Sequence, residues 1–368
     1  MALECLNLPF DQIDFTDQIF DSIKFDYPGF ESWVCNALKT SSSRTAFIVK
    51  GTNTYSGVAL LKFGEGPDGP SPTGLKISTF KVLREAEAQG IADILLSRIL
   101  QMAVELKVEV LFITLLPNHE DLVRYLELRG FRRSAQCLSG GERIYVADMA
   151  NPDRFYSALN RLAYDLLADE YLIRAESPGP AQESPEYLAG LLLSRLHNPI
   201  HSLLELGPGS GSVLSALSRV TDNVVAIEIS PRMASLAHRY APGALIIIAD
   251  ALDVDFPERS FDGVYASAFL HLFPTAEAEK MVQRIACWTK PGGVVFLNTS
   301  VSSHSGESIE LKEDYLSRVA RFRSRWTEEE FRQVLERNGL RILDRVTTDE
   351  YDRNKFWVAF LCTPKDLA

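Results

Sequence analysis

The chain has 368 residues, is 46% hydrophobic and carries a formal charge of −11. It is long enough for two or three domains with sizeable cores, and no stretch approaches the ~18 consecutive apolar residues of a membrane-spanning helix. The acidic balance argues against nucleic acid as a partner, because phosphate contacts need clustered Lys and Arg.

The five cysteines are scattered and form no Cys-x-x-Cys. That argues against structural zinc or a disulfide framework and fits a reducing, cytoplasmic setting. The first fifteen residues are acidic and lack a basic n-region, so no secretory leader is expected.

In chain order, residues 45–50 and 57–63 read as adjacent strands. Residues 64–74, GEGPDGPSPTG, read as a surface loop that holds neither helix nor strand. An alternating strand follows over 75–82. Apolar positions at Ile91, Ile94, Leu95, Ile99, Leu100 and Ala103 recur at helical spacing and predict a helix over 90–106. A strand over 108–115, a helix over 120–129 stopped by Gly130, and a strand over 142–147 complete this part. Asn151-Pro152 marks the boundary, giving domains at 1–150 and 151–368.

The second part opens with amphipathic helices over 155–175 and 185–196, within a lid region spanning 151–200. Strands are then expected over 202–206, 224–229, 244–249, 261–267 and 293–299, with helices over 213–220, 231–240 and 276–289. Strands separated by helices imply a parallel sheet. Thr327 and the acids after it start a last helix. Strands over 340–346 and 355–361 are expected to pair antiparallel at the sheet edge.

The run Glu205-Leu206-Gly207-Pro208-Gly209-Ser210-Gly211-Ser212 lies between a strand and a helix. Glycines there let backbone approach a ligand and take positive φ, and the helix start offers free N–H groups. Glu228 ends the next strand, where it can accept from both hydroxyls of a ribose. Asp250 ends the third, where it can accept from an adenine amino group or cap a turn. Strand, glycine turn, helix, strand and acid is the order of a nucleotide-binding βαβ unit.

With these motifs in order, and with KPGGVVFLNTS after them, residues 155–364 resemble the class I S-adenosylmethionine-dependent methyltransferases. The resemblance implies that Glu205, Gly207, Pro208, Gly209 and Gly211 line the methionine side of S-adenosylmethionine. Glu228 and Ile229 would then meet the ribose, and Asp250 and Ala251 the adenine. An NAD-dependent dehydrogenase prefers the different spacing GxGxxG. Tyr164 and Tyr171 match the YDxxAxxY segment of a lid that folds over the cofactor; seven residues apart on one helix face, they can equally be packing residues. Ser267 and His271 follow the fourth strand, whose carboxyl end lines the crevice. A His271 imidazole titrating near neutrality would serve as general base; its alternative role is packing. Residues 302–326 are expected to shape the acceptor pocket. Arg321, Arg323 or Arg325 would bind an acceptor carboxylate or phosphate there, with Trp326 beside them.

The first module reads LKISTFKVLREAEAQGIADILLSRILQMA, then VEVLFITLLPNHEDLVRYLELRGFRR. It resembles the GCN5-related N-acetyltransferases, and Phe20 to Phe30 resembles the start of a bacterial branch of them. The resemblance implies an acetyl-CoA or other acyl-CoA site formed by Val82, Gly90 and Ala92, with Tyr125 as the acid that protonates a leaving thiolate. Glu87 stands where that family carries a basic or amide residue, and its charge opposes a pyrophosphate.

The fold expected is α/β: a mixed-sheet, acetyltransferase-like α+β domain, then a Rossmann-like domain with a seven-stranded, mostly parallel sheet. The function expected is methyl transfer from S-adenosylmethionine to an O or N atom of a small molecule, such as a natural-product intermediate. No metal and no membrane partner is expected. The first domain either acylates the same metabolite or is a degenerate module for binding, docking or homodimer formation. The remaining alternative is a regulatory protein acting on a protein or RNA partner.

Overall fold

The computed structural model describes residues 4–138, 140–151, 155–180 and 182–365. Pro152, half of the expected boundary, lies outside the described residues. The chain forms two compact units: residues 1–162 with 318–320, and residues 163–317 with 321–368.

The first unit contains β1 (Cys5–Pro9), α1 (Asp21–Asp26), α2 (Phe30–Leu38), β2 (Arg44–Lys50), β3 (Tyr55–Gly66) and β4 (Gly69–Val82). After these come α3 (Ile91–Glu105), β5 (Val110–Leu115), α4 (Glu120–Leu128), β6 (Arg132–Cys137) and β7 (Arg143–Asp148). Its sheet has seven strands in the order β1-β2-β3-β4-β5-β7-β6. Neighbours are antiparallel except β4 and β5, which pair in parallel. That pairing covers Gly74 to Ile77 alone, after which β4 runs on to Val82 without β5. Phe10, Phe20 and Phe30 build a core against β2 and β3.

The loop expected over 64–74 is corrected. Those residues are the ends of a long hairpin, with Glu65 opposite Pro70 and Gly66 opposite Gly69. Its turn is the Pro67-Asp68 pair, and Gly64 and Gly69 take positive φ. Prolines and glycines are tolerated where hairpin ends bulge and strand edges are free. Strand β6 was not expected at all, because Arg132-Arg133-Ser134 shows no apolar alternation.

Helix α5 (Tyr156–Glu176) runs through the division between the units, and α6 (Pro185–Leu193) follows, capped by Ser184. The second unit then alternates β8 (Leu203–Leu206), α7 (Ser212–Leu217), β9 (Val224–Glu228), α8 (Pro231–Tyr240) and β10 (Leu245–Ile248). It continues with β11 (Phe261–Ser267), α9 (Thr275–Trp288) and β12 (Thr289–Ser300). A two-stranded sheet of β13 (Gly306–Lys312) and β14 (Val319–Arg325) precedes α10 (Glu328–Arg337), β15 (Leu340–Glu350) and β16 (Lys355–Pro364).

The large sheet is seven-stranded, in the order β10-β9-β8-β11-β12-β16-β15. Its first five strands are parallel, and β16 runs antiparallel to both neighbours. Every residue of β8 and β9 is buried, as expected of parallel strands with helices on both faces. Tyr265 and Phe296 stack at 4.5 Å in the core. Caps set the helix starts: Ser230 before α8, and a Thr327–Glu330 capping box before α10. Helix α7 is shorter than expected, six residues ending at Leu217.

Candidate functional site

The strand order reverses between β8 and β11, and the turn after β8 opens at that switch point. Gly207, Gly209 and Gly211 all take positive φ. Their surroundings differ. A Cβ on Gly211 would lie 2.5 Å from Ala237 Cα, so this glycine lets α7 pack against α8. A Cβ on Gly207 would meet the Phe269 ring at 3.0 Å. On Gly209 the nearest atom would be Tyr171 Cδ1 at 4.0 Å, an ordinary van der Waals contact. With α7 at six residues, its macrodipole is smaller than an eight-residue helix would give.

Glu228 Oε2 accepts from the Gly209 N–H at 3.3 Å, and Oε1 from the Ser230 N–H at 2.9 Å. Burial pushes this carboxyl up to about 7, against the pull of those N–H groups. Glu205, buried on β8, is pushed up to about 8 by burial and then by Glu228. Its Oε2 has no hydrogen-bond partner among the described residues. Ser230 Oγ accepts from the Met233 N–H and donates to Asp165 of α5 at 2.6 Å, tying the lid segment to the start of α8. Asp250 Oδ1 caps the turn at Leu252 N (3.0 Å), with Ala251 buried beside it.

Tyr164 and Tyr171 meet edge to face at 5.8 Å and pack against Met233 and Leu236. Tyr171 also stacks on Tyr315 at 4.8 Å. Ser267 donates to Asn298 Oδ1 at 3.1 Å, which also accepts from the Ala268 N–H; Ala268 holds φ at +52°.

His271 is buried, and its Nδ1 has no partner among the described residues. The expectation of titration near neutrality is corrected. Burial, then Arg323, Arg321, Lys312 and Lys355, hold the imidazole well below its usual range. It is therefore neutral at pH 7 and a weaker base than expected.

Arg321, Arg323 and Arg325 alternate on one face of β14 and converge on Glu310. Their side chains are progressively exposed: Arg321 is 4% accessible, Arg325 40%. Trp326 is buried, with an unpartnered Nε1 among the described residues. Lys312, Arg353 and Lys355, which carry no motif in the sequence, surround Asp314. Lys312 ends β13, Arg353 lies in the turn between β15 and β16, and Lys355 starts β16; the Arg-x-Arg-x-Arg alternation of β14 was the one signal pointing toward them.

In the first unit, Gly90 takes φ +73° at the start of α3, where a Cβ would meet nothing. Val82 pairs with Gly57, and Ala92 lies in the first turn of α3. Tyr125 is not a free acid. Its hydroxyl donates to Asp93 Oδ1 at 2.8 Å, and Arg129 binds the same carboxyl at 2.8 Å. Burial and the Asp93 charge hold the phenol well above its usual range.

Residues 204–297 match the family described as "Methyltransferase domain". The chain is 38% identical over 77 residues to "Probable ribosomal RNA small subunit methyltransferase A" of Pyrobaculum aerophilum, covering 21% of this chain and 32% of that protein. It is 30% identical over 113 residues to phosphoethanolamine N-methyltransferase of Triticum aestivum, covering 29% of this chain and 22% of that one. The chain thus spans about a third or less of these relatives' length. Among solved structures, 1,6-didemethyltoxoflavin-N1-methyltransferase of Burkholderia thailandensis superposes with a TM-score of 0.47 at 20% identity, over 60% of this chain and 93% of that one.

One expectation falls here. Net charge argued against a nucleic-acid partner, yet ribosomal RNA methyltransferases from Pyrobaculum and Methanosarcina recur among the relatives. Net charge averages over the whole surface, whereas a ligand responds to the local field. No described helix is long and apolar enough to cross a membrane.

Proposed function

We propose that this chain transfers the methyl group of S-adenosylmethionine to an O or N atom of a small molecule, such as a natural-product intermediate. The observation that carries the reading is Glu228. It is a buried carboxylate at the end of the second strand of a βαβ unit, already bonded to the glycine turn at Gly209. Such a group suits a ribose diol, whose hydroxyls would donate to its oxygens.

The residues fit this cofactor on two further points. Glu205 Oε2 is a buried acceptor with no partner among the described residues, and a ligand ammonium would satisfy it. Gly209 puts no side chain between its peptide and the Tyr171 ring, whose nearest atom lies 4.0 Å from where a Cβ would stand. Gly207, Pro208 and Gly209 would hold the methionine part, Glu228 and Ile229 the ribose, Asp250 and Ala251 the adenine. Ser267 would line the crevice, and Tyr164 and Tyr171 would cover it.

The bound cofactor supplies an electrophilic methyl on a sulfonium. The chain's own work is to align the acceptor atom and exclude water. Transfer of that methyl to the acceptor atom would leave the carbon–sulfur electron pair on sulfur. The acceptor's proton passes to a neutral base, for which His271 Nδ1 is available. The name of the wheat relatives supports a small acceptor. The names of the archaeal relatives support a second reading, an RNA acceptor.

For the first unit we retain acyl-CoA binding. The separation of β4 from β5 beyond Ile77 and the positive φ of Gly90 support it. The Asp93 and Arg129 ties on Tyr125 support a non-catalytic, docking or homodimer role. Calorimetry with S-adenosylhomocysteine and acetyl-CoA tests both readings on wild type, Gly209→Asp and Gly90→Asp. No S-adenosylhomocysteine binding by wild type would refute methyl transfer; no acetyl-CoA binding would leave the docking role.

A further inference from the structure

Three carboxylates in the second unit are each shared by two or three cations, two of which, Lys312 and Arg321, are buried. Glu310 takes ion pairs from Arg321, Arg323 and Arg325. Asp314 takes them from Lys312, Arg353 and Lys355. Glu350 takes Arg174 and Arg353, and accepts from Trp357 Nε1. Lys312 is 3% accessible and Arg321 4%. Taking a charge from water is costly unless it is matched, and one carboxylate shared three ways does not match three cations.

The titration directions agree with that imbalance. Lys312 sits 2.9 Å from Asp314, yet burial, then Arg321, Lys355, Arg353 and Arg323, drive its ammonium well below its usual range. Lys355 is pushed down to about 7 by burial and then by Arg353, Arg321 and Arg323. Arg321 Nε, Arg323 Nε and Arg353 Nε are buried with no partner among the described residues.

The cluster lies beside the candidate crevice. Arg323 Nη2 donates to Ser300 Oγ at the carboxyl end of β12, and Arg321 Nη1 donates to Tyr164 OH at 3.4 Å. The cations of β13, β14 and β16 are those whose charge depresses His271, in the turn after β11. Tyr315 forms an aromatic floor, 4.6 Å from Lys312 Nζ and 5.5 Å from Arg353 Cζ.

We infer that Lys312, Arg321, Arg323 and Lys355 form a binding site for a phosphate group carried by the methyl acceptor, and that this group holds the acceptor in the crevice beside His271. A phosphate brings up to two negative charges and several acceptor oxygens, which is the complement of several converging donors. The inference rests on the methyl-transfer reading for the word acceptor; the anion site itself does not.

The test is thermal unfolding and calorimetry of the full chain with inorganic phosphate, against acetate at equal ionic strength, with and without S-adenosylhomocysteine. Phosphate is expected to stabilise wild type and acetate not to. Lys312→Met should be at least as stable as wild type without phosphate, because a repelled buried cation has gone. It should bind phosphate about tenfold or more weakly, as should Lys355→Met. If Lys312 serves only as Asp314's structural partner, Lys312→Met will be destabilised equally in both buffers, and the inference falls. Equal stabilisation by acetate would also overturn it. Binding of S-adenosylhomocysteine without phosphate binding would overturn this inference and leave the methyl-transfer reading standing. Competition by phosphoethanolamine or by a short RNA oligonucleotide then assigns the phosphate to a small ester or to a nucleic-acid chain.

Discussion

The backbone N–H of Gly209 donates to Oε2 of Glu228 across 3.3 Å, although 19 residues separate them in sequence. This one bond fastens the turn after β8 to the end of β9. Glu228→Ala removes it together with the bond to Ser230 N. S-adenosylhomocysteine is expected to bind about ten- to a hundredfold more weakly to this variant, the worth of one or two charge-assisted hydrogen bonds. An unchanged dissociation constant by calorimetry would remove Glu228 from the ribose role.

The glycines of that turn are separable by size. Gly211→Ala drives a methyl to 2.5 Å from Ala237 Cα, a backbone atom, at φ +87°. A loss of about 3 kcal/mol in denaturant unfolding is expected. Gly209→Ala meets its nearest neighbour at 4.0 Å and carries only the left-handed backbone cost of about 1–2 kcal/mol. It should instead weaken cofactor binding, because the methyl fills the space between the turn and the Tyr171 ring. Equal stability losses for the two variants would contradict this division.

Glu205 and Glu228 make stability fall as pH rises. Both carboxyls are raised in the folded chain, to about 8 and about 7 from the usual 4.5. The folded state therefore holds protons that the unfolded state has released. The stability they contribute is complete below about pH 4.5 and is lost progressively above it, until pH has passed about 7 for Glu228 and about 8 for Glu205, by up to about 1.4 kcal/mol per pH unit for each group. Glu205→Gln should flatten the fall in melting temperature between about pH 5 and 8. A cationic cofactor favours the ionised pair, so binding should release protons, readable as a buffer-dependent enthalpy. A wild-type melting temperature that rises across this range would contradict the assignment.

In the first unit, Asp93 joins Tyr125 to Arg129. Asp93→Ala strands both partners and is expected to cost about 2 kcal/mol in unfolding experiments. Tyr125→Phe removes one hydrogen bond and should cost about 1 kcal/mol. If Tyr125 were instead an acyl-transfer acid, Tyr125→Phe would abolish acyl turnover while leaving stability almost unchanged.

The second unit's sheet was readable because each buried parallel strand is an apolar run bounded by a glycine or an acid, as at Leu203–Leu206 and Val224–Glu228. The hairpin of β3 and β4 was not, because Pro67, Pro70 and Pro72 look like a loop until cross-strand pairing supplies the bonds. Lys312 and Lys355 were equally silent. Each is an unremarkable lysine on its own strand, and 43 residues separate them.

By itself the sequence determined the order strand, glycine turn, helix, strand, acid, and with it the placing of Gly209 and Glu228 at one end of the sheet. Those features are local, set by period, turn chemistry and spacing along the chain. Tertiary structure alone decided that Gly211 is a packing glycine, that His271 is held neutral, and that cations from three strands crowd around Asp314 and Glu310. A pKa and a field depend on burial and on charges brought together from distant positions, and neither is encoded in any short stretch of chain.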